Sequence, residues 1–149
     1  MILVSACLTG IFCRWDGGSN LVPELRALYE SGEAVIACPE VLGGLHTPRL
    51  PSEKRGECVF NRREEDVTDE FRKGAEAALR ICLANGCESA VLKSKSPSCG
   101  KGVIHNGKFD GGLVAGNGIA AQLLIDHGIA VMTEQEWLEQ QAGSHARQA

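Results

Sequence analysis

Three cysteines stand at the ends of apolar runs. Cys7 closes Ile2-Leu3-Val4-Ser5-Ala6, Cys38 closes Ala34-Val35-Ile36-Ala37, and Cys99 follows Ala90-Val91-Leu92-Lys93 after a short loop. Each run reads as a buried strand, so three distant stretches of chain deliver a thiol to the carboxyl edge of one sheet, where open α/β sheets bind ligands. Gly10, Pro39 and Gly100 lie beside them, residues that shape turns better than they fill cores. Three thiolates without a clear fourth ligand describe a metal centre with one open coordination position, and an open position is what a metal needs to do chemistry.

The spacing also bears on which metal. Zinc modules built from cysteine show paired C-x-x-C knuckles, and this chain has none. Single cysteines far apart in sequence suit a [4Fe–4S] cluster seated among several loops, with one iron left as a Lewis acid toward a soft sulfur or an oxygen. Cys13, six residues after Cys7, is the alternative fourth ligand. It would close the site and favour a non-enzymatic zinc or iron–sulfur module, or an electron-transfer protein. Cys58, Cys82 and Cys87 read as small apolar filler.

The neighbours of these cysteines carry acid–base groups. Glu40, two residues beyond Cys38, can face the same cavity and act as general base on a water. Lys93-Ser94-Lys95-Ser96-Pro97-Ser98 places hydroxyls and ammonium groups beside Cys99. They can bond cluster sulfur, donate a proton or bind an anionic substrate. Arg14, Arg49 and Arg55 can form an anion site or solvate loops. His46 is the histidine closest in sequence to a proposed ligand, whereas His105, His127 and His145 read as surface or packing residues.

The positioning elements follow from periodicity. A helix from Pro23, with Leu25, Leu28 and Tyr29 on one face, stops at Gly32 and leads into the strand ending at Cys38. Pro39 to about Asp66 reads as one long loop. Apolar residues at spacings of three and four predict a helix from Thr68 to Asn85, followed by a strand over Ser89–Leu92. In the glycine-dense stretch from Gly100 to Gly118, Asn106-Gly107 predicts a tight hairpin between Val103-Ile104 and Lys108-Phe109. A helix over Ile119–His127 leads to a strand over Ile129–Met132, and Thr133-Glu134-Gln135-Glu136 is a capping box that opens a last helix. Strands alternating with helices imply a compact Rossmann-like, three-layer α/β domain with a mainly parallel sheet over residues 1–142, and residues 143–149 form a polar tail.

Composition narrows the partners. With 15 basic against 19 acidic residues among 149, the formal charge of −4 argues against a nucleic-acid or membrane surface and for a small ligand. The chain shows neither a signal-peptide pattern nor an apolar run of about 18 residues, which points to the cytoplasm. Seven cysteines in a reducing compartment point to metal binding or catalysis over a disulfide framework.

Taken together, the motifs resemble the family known as domain of unknown function 523, the thiouracil desulfidases. The matching blocks are Val4-Ser5-Ala6-Cys7-Leu8 with Cys13-Arg14-Trp15-Asp16-Gly17, then Cys38-Pro39-Glu40-Val41-Leu42-Gly43-Gly44-Leu45 with Thr47-Pro48-Arg49, then Leu92-Lys93 with Ser96-Pro97-Ser98-Cys99-Gly100, and the Gly111 to Gly118 segment. The resemblance implies a [4Fe–4S] cluster on Cys7, Cys38 and Cys99. It also implies hydrolytic removal of sulfur from thiolated pyrimidines such as thiouracil or 4-thiouridine monophosphate. By the same analogy Glu40 prepares the attacking water and Ser96 or Ser98 assists proton movement, while Arg14, Arg49, Lys93 and Lys95 leave room for a phosphate. Trp15 stands where the family is expected to carry tyrosine, and His46 lies where family loops vary.

Overall fold

Alternation along two adjacent strands builds the layers. In β1 (Ile2–Ser5) and β5 (Ser89–Leu92), Leu3, Ala90 and Leu92 face one side of the sheet, and Val4 and Val91 face the other. The computed structural model describes residues 1–148 and places these strands at the centre of a four-stranded parallel sheet. Its order is β2 (Ala34–Ala37), β1, β5 and β8 (Ala130–Thr133), with Leu3 opposite Val35 and Ala90, and Ala90 opposite Val131. The chain leaves β1 toward one edge and later returns through β5 to the other. Strand order therefore reverses between β1 and β5, and the carboxyl ends of that pair form the crevice where such sheets take ligands.

Helices cover both faces, giving the expected three layers. On one side α3 (Thr68–Ala84) and α4 (Ile119–Asp126) pack Ala78, Cys82, Ala121 and Leu124 against Leu3, Ala90 and Val131. On the other, α1 (Pro23–Glu30) inserts Leu25 beside Val4 and Val91, and α5 (Glu134–Gln148) adds Trp137. The stripe Phe71, Ala75, Ala78 and Cys82 is buried as its spacing requires, and full burial of Phe71 alone stabilises by about 1.5–3 kcal/mol. The capping box forms: Thr133 N–H donates to Glu136 Oε1 at 3.0 Å, and Glu136 N–H donates to Thr133 Oγ1 at 3.1 Å. Among the described residues no helix is long and apolar enough to cross a membrane.

Two expectations are corrected. The segment after Cys38 is not one loop: it starts with a helical turn, α2 (Pro39–Leu42), and holds the antiparallel hairpin β3 (Ser52–Arg55) and β4 (Cys58–Asn61). The Ser-Glu-Lys-Arg strand hides from pattern reading because its inward residue is the carboxylate Glu53. That carboxylate is buried because it accepts the Gly107 and Phe109 N–H groups at 2.9 and 3.1 Å. The second hairpin does not turn at Asn106-Gly107. Its strands are β6 (Val103–His105) and β7 (Leu113–Ala115), with His105 opposite Leu113. Asn106 Oδ1 accepts the Lys108 N–H and Asp110 Oδ1 accepts the Gly112 N–H, so side chains satisfy the loop's backbone and compete with the tight turn.

A close helix crossing fixes the turn after Cys38. A Cβ on Gly74 of α3 would collide with the Pro39 carbonyl, and one on Gly43 would collide with the Glu70 carbonyl. In an unpacked helix, Gly to Ala is worth roughly 1 kcal/mol of stabilisation. Here Gly74→Ala is expected to act in the opposite sense, lowering stability by about 1–3 kcal/mol through overpacking. A urea midpoint that falls at constant m-value checks this, and a midpoint that rises would show that α2 is free to slide away.

Candidate active site

Residues just past the strand ends line the switch point. A cavity of about 430 Å³ is bordered by Cys7, Cys13, Cys38 and Cys99, by Glu40, and by Ser96 and Ser98. Cys7 sits in a 3₁₀ turn, Ala6–Thr9, directly after β1, and Cys38 is the residue between β2 and α2. Cys99 ends a loop held by α4, whose first N–H groups from Ile119, Ala120 and Ala121 donate to the Pro97 and Ser98 carbonyls. Gly118 passes so close to that loop that a Cβ would lie 2.5 Å from the Ser98 carbonyl. Glycine at position 118 is thus a packing requirement of the loop that carries the third cysteine.

All seven cysteines are free thiols. Cys13 borders the cavity with Cys7 and Cys38, and the Cys38 thiol donates to the Cys13 carbonyl at 3.9 Å. The neighbouring Cys13 thiol and the Val41 N–H hold the Cys38 thiol down to about 7 against burial, and Cys13 with Asn20 lowers Cys7. Cys13 itself is pushed up, chiefly as donor to Cys38. Burial pushes Cys99 up to about 12, opposed by a bond from Ser5. Cys7 and Cys38 are thus easier to ionise than a free thiol, and Cys99 is harder. Cys82 and Cys87 lie in the core and Cys58 in β4, away from this group.

A polarised chain of oxygen atoms runs beside the thiols. Arg49 Nε donates to Glu40 Oε1 at 3.1 Å, and Ser98 Oγ donates to Glu40 Oε2 at 3.0 Å. Ser96 Oγ lies 3.2 Å from Ser98 Oγ and accepts the backbone N–H groups of Ser98 and Cys99 at 3.2 and 2.7 Å. With its oxygen occupied twice, the Ser96 hydroxyl can only donate, either to Ser98 or to a molecule in the cavity. The Arg49 and Glu40 side chains are 9% and 16% exposed, so this pair is shielded from screening by solvent.

The basic residues divide. Arg49 does not line the cavity: besides Glu40 it donates to the Cys13 carbonyl at 2.8 Å and to Thr47, which makes it a support rather than the substrate contact expected from sequence. Arg14 borders the cavity with its fork already on Asp16, both bonds at 2.7 Å, and on Asn20. Lys93 also borders it, and its ammonium bonds Ser94 and the buried Glu134. Lys95 faces the cavity from a left-handed backbone position, φ 70°, and has no ion-pair partner among the described residues. Arg55 is paired with Glu64 at the surface.

Sequence reasoning missed several residues of the cavity wall. His46 is exposed and does not reach the cavity, whereas His105 of β6 borders it with Nδ1 buried and without a hydrogen-bond partner among the described residues. Phe109 and Arg62 also line it, the guanidinium 6.0 Å from the ring centroid. No local signal could have found His105, Phe109 and Arg62, because the sequence reads residues 52–61 as loop and places the second hairpin's turn at Asn106-Gly107.

Thiols suited to a soft metal beside a carboxylate and two hydroxyls are the parts of a metal-assisted hydrolytic site, set in a three-layer α/β fold. The profile of the 2-thiouracil desulfurase family matches residues 2–136, and the chain belongs to that family. It is 42% identical over 146 residues to protein YbbK of Bacillus subtilis strain 168, covering 91% of this chain and 97% of the relative. It is also similar to the solved structure of the [4Fe–4S]-dependent thiouracil desulfidase TudS, at 48% identity and a TM-score of 0.88 over 97% of both chains.

Proposed function

We propose that this protein is a [4Fe–4S]-dependent desulfidase that hydrolytically removes sulfur from thiolated pyrimidines, thiouracil or 4-thiouridine monophosphate, and releases sulfide. The observation that carries the reading is the convergence of Cys7, Cys38 and Cys99 on a cavity that also holds Glu40 and its serine chain. The donor set fits the group, since three thiols from three strand ends border one volume. Among the described residues, by contrast, no three His, Cys, Asp or Glu side chains close on a single-ion position. When bound on these three cysteines, the cluster supplies a soft Lewis-acidic iron for the thiocarbonyl sulfur.

The protein groups supply the rest. Glu40, oriented by Arg49, takes a proton from water, whose oxygen bonds to the ring carbon as the carbon–sulfur bond breaks. Ser96, backed by Ser98, delivers a proton toward the departing sulfur or the ring. Water and thiocarbonyl thus become carbonyl and hydrogen sulfide, with no redox partner. Lys95, Lys93 and Arg14 border the space available to a phosphate. Free thiols suit a reducing, cytoplasmic setting, and a net charge of −4 favours a small molecule over nucleic acid or membrane.

Anaerobically reconstituted protein is expected to release sulfide from 2-thiouracil or from 4-thiouridine monophosphate in proportion to the carbonyl product formed. Measuring both side by side ranks base against nucleotide. Iron-loaded protein inert toward both would remove the activity while leaving the cluster in place.

A further inference from the structure

Ser5 is the last residue of β1 and is 2% exposed, and its hydroxyl touches the third cysteine. Its Oγ accepts the Lys93 backbone N–H at 3.0 Å and lies 3.2 Å from Cys99 Sγ. A hydroxyl whose oxygen is engaged in this way still carries one proton. Toward a Cys99 thiolate, which has no proton of its own, the bond can run in one direction only: Ser5 donates. Ser98 Oγ is 3.8 Å from the same sulfur and gives its proton to Glu40 at 3.0 Å, so the short hydroxyl contact to Cys99 is that of Ser5. The Cys38 thiol instead donates to the Cys13 carbonyl at 3.9 Å.

We propose that Ser5 is the tuning residue of the site: its Oγ–H bond to Cys99 draws charge from that thiolate and raises the potential of the bound cluster. The inference rests on the proposed ligand role of Cys99. Hydrogen bonds to ligating sulfur reduce the electron density it gives to iron, which favours the reduced state and leaves the metal more electrophilic. The end of β1 therefore contributes twice, with Ser5 as the donor to Cys99 in the loop beyond β5 and, in the turn that follows, with Cys7 as a ligand. The bond spans 94 residues of sequence and closes between adjacent strand ends.

The test compares wild type, Ser5→Ala and Ser5→Thr after anaerobic reconstitution, with iron per chain measured first and the midpoint potential then followed by spin resonance. Iron-replete Ser5→Ala is expected at a more negative potential, and Ser5→Thr, which keeps the hydroxyl, at the wild-type value. An unchanged potential in iron-replete Ser5→Ala overturns the proposal. Should Ser5→Ala fail to retain iron, the reduced wild type decides. A strongly coupled proton that exchanges in heavy water supports the bond, and its absence overturns it. Iron-free wild type, by contrast, overturns the cluster reading itself and this inference with it.

Discussion

Glu40→Gln is expected to slow sulfide release by roughly 10²–10⁴-fold, the range over which a positioned general base contributes, with iron content unchanged. The substitution keeps shape and leaves an amide oxygen able to accept from Arg49 or Ser98, but it removes the group that takes the proton from water. The carboxylate sits between two donors, Arg49 Nε at 3.1 Å and Ser98 Oγ at 3.0 Å, which fix both of its oxygens. Because the ion pair is mostly buried, the Gln variant also leaves a guanidinium charge without its partner, so some loss of thermal stability accompanies the loss of rate. The two effects separate in a comparison with Arg49→Gln, which disturbs the same pair but keeps the base. If Glu40→Gln retained full turnover, the water would have to be activated elsewhere, and the proposed role of the serine chain would go with it.

The second large effect distinguishes three ligands from four. Cys7→Ala, Cys38→Ala and Cys99→Ala are each expected to lose the visible absorption and bound iron of the reconstituted protein, and activity with them. Cys13→Ser is expected to keep both. The reason is placement: Cys13 lies in the loop after the 3₁₀ turn, not at a strand end, and its carbonyl accepts from the Cys38 thiol at 3.9 Å. A serine there still offers one hydroxyl proton to its neighbours but is a poor ligand for a soft metal. Iron lost equally from all four variants would close the site with a fourth thiolate and favour the structural or electron-transfer reading. Iron retained by Cys7→Ala would remove that residue from the ligand set.

Much of the positioning scaffold is visible along the chain. The apolar tetrapeptides before Cys7, Cys38 and Cys99 announce strands, the stripe from Phe71 to Cys82 announces α3, and Thr133 with Glu136 announces the start of α5. These signals survive because each is local: a short period of burial, or a cap closed within one turn. The hairpin over residues 52–61 and the true turn of the one over 103–115 are not visible, since the two are joined through Glu53 reaching across to Gly107 and Phe109. A buried carboxylate whose partners lie more than fifty positions away looks, in sequence, like one more charge in a polar loop.

By itself the sequence determined the three-layer α/β class, the edge at which the cysteines gather, and the kinds of group that stand near them, because strand direction and loop content are set by neighbours in the chain. Only the tertiary structure decided that Arg49 bonds Glu40 from outside the cavity lining, that His105 and not His46 borders the cavity, and that Ser5 bonds Cys99. Each of these depends on which side chains meet when β1, β2 and β5 are brought side by side and the hairpins fold over their ends. Directional contacts of about 3 Å between residues far apart in the chain leave no periodic trace along it.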